Sequence, residues 1–135
     1  MNMRNIDRIF ILTGAFFAVA GMCTGLWMVA VNSFVYSKIH AHINLLGWVS
    51  LAIYGVVYRI YPAMKDCSLA LTHLICSVAG VIFMNLGWWM FLQNILVGTK
   101  TLVVIFRGGS ALGILGVILF LVIFWLHGKD KPEAG

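Results

Sequence analysis

Apolar residues dominate four long stretches of this chain, about Ile9 to Val31, Ile39 to Tyr61, Leu69 to Leu92 and Leu102 to Leu126. Polar residues collect in the short segments between them. Each stretch is as long as the roughly 20 residues that an α-helix needs to cross the hydrocarbon core of a bilayer. A chain in lipid must satisfy its backbone hydrogen bonds internally, so each stretch is predicted to be a helix. Short links force sequential helices to run antiparallel. The expected fold is therefore all-α: an integral membrane four-helix bundle of up-down-up-down topology, with residues 1–135 as a single transmembrane domain. Pro62 closes the second span, Lys65 and Asp66 occupy the turn after it, and the polar tail Gly128 to Gly135, with Pro132, is expected to fray.

Composition agrees with this pattern. Hydrophobic residues make up 62% of the 135-residue chain and charged ones 10%, against about a quarter charged in soluble domains. The first span is longer than the apolar core of a typical signal peptide, so it is read as a retained helix, although Ala18-Val19-Ala20 has the small-x-small form. The net charge of +5 does not point to nucleic acid, because the basic residues are spread over loops and termini. Their distribution predicts topology instead. With both termini cytoplasmic, Arg4, Arg8, Arg59, Lys65, Lys129 and Lys131 lie inside, and Lys38, Lys100 and Arg107 lie outside. A multi-pass protein of the bacterial cytoplasmic membrane is expected, with the lipid bilayer as its first partner. Cys23, Cys67 and Cys76 form no CxxC pair and predict no disulfide framework.

Candidate chemistry concentrates in His40-Ala41-His42-Ile43-Asn44-Leu45-Leu46-Gly47-Trp48, where two imidazoles and a carboxamide open the second span. Ionisable groups within a membrane helix are costly, and histidine is a frequent ligand of metals and of haem iron. At 100° per residue His40 shares a stripe with Asn44, Gly47, Leu51, Tyr54 and Tyr58, expected to face the bundle interior. His42 shares the apolar stripe of Leu46, Val49, Ile53 and Val56, expected to face lipid, an apolar cofactor or another subunit. Residues two apart on a helix diverge, so one metal ion shared by His40 and His42 requires a break in the helix. His73, early in the third span, is expected about 20 Å from His42, near the level of His127. Its stripe continues through Ser77, Gly80, Met84 and Gly87, which places Met84 nearer His42. Arg107, a turn or two inside the fourth span, is expected to snorkel to the outer surface, with pairing to an anionic group such as a haem propionate as the functional alternative. Gly21/Gly25 and Gly109/Gly113 are GxxxG pairs, read first as packing within the monomer.

His42-Ile43-Asn44-Leu45-Leu46, followed by Gly55, Tyr58 and Pro62, resembles the second helix of the catalytic subunit of haem-copper oxidases, most closely the nitric oxide reductase branch. The stretch His40 to Pro62 also resembles short four-helix membrane relatives of cytochrome oxidase subunit I. The resemblance covers about one span in four. It implies that His42 is an axial ligand of haem b near the outer face. The later helices that carry the family's other haem and metal ligands have no counterpart, and Asp7, Asp66, Asp130 and Glu133 all fall at termini or in loops. A complete oxidase or reductase is therefore not expected.

Two functions follow as expectations. The first is a membrane haem b protein for electron transfer or for binding a diatomic gas, NO or O2. Its cofactor-binding residues would be His42, His40, Asn44, Met84 and Arg107, with His42, His40 and His73 as candidate metal ligands. A homodimer or other homo-oligomer would cover the haem, and a respiratory-chain redox partner would exchange electrons with it. The alternative is a copper-binding or cofactor-free assembly module of a respiratory complex. No phosphate loop, nucleophile triad or carboxylate pair suggests other catalysis.

Overall fold

A computed structural model describes residues 5–129. The expected inside charges Arg4 and Lys131, and the tail from Asp130 with Pro132 and Glu133, lie outside the described residues. Among those described, the secondary structure is entirely helical. Four helices are long and apolar enough to cross a membrane: α1 (Ile6–Ala30), α2 (Ser37–Ile60), α3 (Ala70–Leu92) and α4 (Lys100–His127). Pro62 opens a short 3-10 turn, Pro62–Asp66, between α2 and α3. Thr99 caps α4, its hydroxyl accepting from the Leu102 amide at 3.3 Å.

Apolar side chains gain little by leaving lipid for one another, so close backbone contact has to hold membrane helices together. Glycine supplies it here. A Cβ placed on Gly80 of α3 would stand 2.5 Å from the Gly113 nitrogen of α4, and one on Gly109 would stand 2.3 Å from the Met84 nitrogen. Gly21 and Gly25 of α1 receive the side chains of Asn44 and His40 from α2. Both GxxxG pairs are thus used inside the monomer. Large apolar side chains such as Leu12, Phe16, Leu26, Val104 and Trp125 stay exposed on the outer faces, as lipid contact requires.

Two details depart from the sequence expectation. The second span is not a uniform α-helix: Ile43–Ser50 is π-helical. Side chains supply hydrogen bonds at the two ends of this wider stretch. Asn44 Nδ2 donates to the His40 carbonyl at 2.8 Å, and the Ser50 hydroxyl donates to the Leu45 carbonyl at 2.9 Å. The expected inward stripe survives, with Gly47, Leu51, Tyr54 and Tyr58 buried. Asp7, expected at a terminus, belongs to the first turn of α1 because the helix begins at Ile6. It is buried and pairs with Lys65 at 3.0 Å, tying the start of α1 to the turn after α2.

Candidate functional site

The histidine motif is tied to α1 by one hydrogen bond, from His40. His40 Nδ1 lies 2.9 Å from the Gly21 carbonyl. A carbonyl only accepts, so Nδ1 carries the proton and, in the neutral ring, Nε2 keeps its lone pair. The Asn44 side chain closes the same corner against Gly21, its Nδ2 bonded to the His40 carbonyl. A methyl at Gly21 would meet the Asn44 amide at 2.5 Å. Gly21→Ala is therefore expected to displace Asn44 from the His40 carbonyl and to cost about 1 kcal/mol, the worth of one such bond, checked by thermal unfolding in detergent.

His42 makes a different set of contacts. Its Nδ1 donates to the Lys38 carbonyl one turn back, at 2.6 Å, and its neutral ring likewise keeps an Nε2 lone pair. A histidine that binds a metal usually donates its other ring N–H to a carbonyl or carboxylate, which fixes tautomer and ring orientation. His40 and His42 thus share a tautomer but are anchored to separate elements, as their two-residue spacing implies.

Two apolar cavities follow each other along the cleft between α2 and the α3–α4 pair. One, of about 460 Å³, is lined by Lys38, Gly87, Trp88, Phe91, Phe106 and Arg107, among others. The other, of about 290 Å³, is lined by Leu46, Ser50, Tyr54, Ser77 and Met84 with small residues of α4. His42 stands on α2 between Lys38, which borders the first, and Leu46, which borders the second. Lys38 Nζ sits 4.6 Å from the centre of the Trp88 ring. Arg107 is exposed, and it shares the first cavity with Lys38. Met84 is buried against Gly109.

His73 belongs to another part of the molecule. It is fully buried, its Nδ1 is 3.1 Å from the Tyr58 hydroxyl, and the rings of Phe10, Tyr54, Tyr58 and Phe120 surround it. Its Nε2 has no partner. Among the described residues no three of His, Cys, Asp and Glu come together as a metal cluster. His73 is therefore not brought to His40 and His42.

The sequence reading did not name Asn85 and gave Ser77 no role beyond its stripe. Ser77 Oγ, Asn85 Oδ1 and Asp7 Oδ1 are buried without partners, and Lys38 joins Arg107 at one cavity. A polar residue within an apolar span was the available signal for Ser77 and Asn85. Nothing in the sequence pointed to the pairing of Lys38 with Arg107, because the two are distant along the chain. Compared with protein-family models, curated proteins and solved structures, the chain matches none.

Proposed function

We propose that the chain is a membrane haem b protein that passes electrons or binds a diatomic gas, NO or O2, with His42 Nε2 as an axial ligand. The observation that carries this reading is the His42 ring itself. Its Nδ1–H is fixed on the Lys38 carbonyl, which leaves the Nε2 lone pair available, and His42 stands on α2 between Lys38 and Leu46, which line two apolar cavities. The donor set suits haem iron, for which one neutral imidazole is a sufficient protein ligand. Lys38 and Arg107 at one cavity provide cations for the propionates, and charge-assisted pairs of that kind are the strong ones. His40 and Asn44 lock α2 onto α1 and hold the ligand-bearing turn in place. Met84, bordering the adjoining cavity, would be the candidate second ligand, with His42 of a second copy as the other source. A bound haem would supply the redox-active iron; the chain's own residues would orient it and neutralise its propionates.

The basic residues favour consecutive helices in opposite directions with both ends of the chain cytoplasmic, in a bacterial inner membrane. Arg8, Arg59, Lys65 and Lys129 then lie inside, and Lys38, Lys100 and Arg107 outside. This puts His42 toward the outer face, where a respiratory redox partner could reach it. A homo-oligomer that covers the exposed Leu45, Val49 and Ile53 face would shield the cofactor further.

The test is an oxidised-minus-reduced spectrum of the protein purified in mild detergent and reconstituted with hemin. A haem b signal is expected, lost in His42→Ala and kept in His73→Phe. Met84→Leu is expected to change the spin state if Met84 is the second ligand. Absence of any haem signal in the native protein would overturn the reading and leave a copper-binding or cofactor-free assembly module. Metal content would then separate those two.

A further inference from the structure

We propose that the 290 Å³ cavity between α2, α3 and α4 holds internal water, and that this water ends on Ser77 Oγ and His73 Nε2. The inference concerns the protein without haem, since Met84 lines the same cavity. Ser77 lines the cavity, is 6% exposed, and its hydroxyl has no partner. His73, one helical turn earlier on the same face of α3, has the same defect at Nε2 and is fully buried.

Neither tautomer of His73 repairs the defect. With the proton on Nε2, Nδ1 accepts from the Tyr58 hydroxyl and a buried N–H is left over. With the proton on Nδ1, the Tyr58 oxygen accepts, and both Nε2 and the Tyr58 O–H lack a counterpart. Each such group left dry costs about 1–3 kcal/mol, a penalty that water removes.

The cavity can host that water. Its volume is several times the roughly 30 Å³ that one water occupies in the liquid, and a buried water needs two to four polar partners. Four hydroxyl-bearing residues line it: Ser50, Tyr54, Ser77 and Ser110. Ser50 and Ser110 give their protons to the Leu45 and Phe106 carbonyls, so their oxygens remain as acceptors toward the cavity. Gly116 keeps room open at Ser77, since a Cβ there would meet Oγ at 2.5 Å. Tyr54 lines the cavity and its ring packs on His73, the ring centres 4.8 Å apart, so the histidine lies directly behind the cavity wall.

Solid-state NMR of 15N-histidine-labelled protein in liposomes, with magnetisation transferred from water, tests this. His73 is assigned by its absence in His73→Phe. A water-to-Nε2 signal is expected at His73, with build-up slowed several-fold in Ser77→Val. Ser77→Ala serves if the valine variant does not fold. No transfer to His73, while His40, His42 and His127 receive it, would show a dry site and overturn the proposal. Transfer unchanged by either Ser77 substitution would overturn it equally, because the water would then reach His73 without the cavity.

Discussion

Gly109→Val is expected to destabilise the bundle by about 3 kcal/mol, while Gly108→Val, one residue away, changes it by less than about 0.5 kcal/mol. A Cβ at Gly109 would lie 2.3 Å from the Met84 nitrogen and 2.7 Å from the Phe83 carbonyl carbon. Both are backbone atoms of α3, so no side chain can swing aside and the two helices must separate. At Gly108 nothing lies within 4 Å. Both substitutions alter intrinsic helix propensity by the same amount, so the difference between them reports packing alone. Separation is costly because close contact, more than burial from lipid, holds these helices together. Reversible unfolding in mixed detergent micelles, followed by circular dichroism, measures both variants. Equal stabilities would contradict the close α3–α4 crossing and the position of Met84 derived from it.

Lys65→Met is expected to cost about 3 kcal/mol, and adding Asp7→Leu to it should recover most of that loss. Exposed ion pairs contribute little, but this one is largely withdrawn from solvent, with side-chain exposures of 17% for Lys65 and 7% for Asp7. Removing the lysine alone leaves a buried carboxylate whose other oxygen already lacks a partner. Removing both charges leaves no such group. The same unfolding measurement on the two single variants and the double variant gives the coupling. A loss below about 1 kcal/mol in Lys65→Met would mean that the pair behaves as a surface bridge and does not clamp α1 to the turn after α2.

The legible part of this protein was its hydrophobic pattern. Four spans, the break at Pro62 and the inward stripe of Gly47, Leu51, Tyr54 and Tyr58 all follow from residue spacing, because lipid permits only a helix over such stretches. The divergence of His40 and His42 was legible for the same reason. The π-helical turn was not. It is accompanied by hydrogen bonds from Asn44 and Ser50 to carbonyls, whereas a hydropathy pattern registers only how apolar each position is. Asp7 was misplaced because the apolar run was assigned from Ile9, two positions after it, whereas the helix starts at Ile6.

What the sequence by itself determined is local: which segments are helical, and which face of the second span turns inward. Helical periodicity and the cost of exposing backbone to lipid suffice for that. What only the tertiary structure decided is who meets whom. Gly21 and Gly25 accept Asn44 and His40, Lys38 and Arg107 border one cavity, and His73 is closed in by Phe10, Tyr54, Tyr58 and Phe120. These contacts join residues far apart in the chain. They depend on the crossing points where small residues let backbones approach, and the pattern along one helix carries no information about the partner chosen at that crossing.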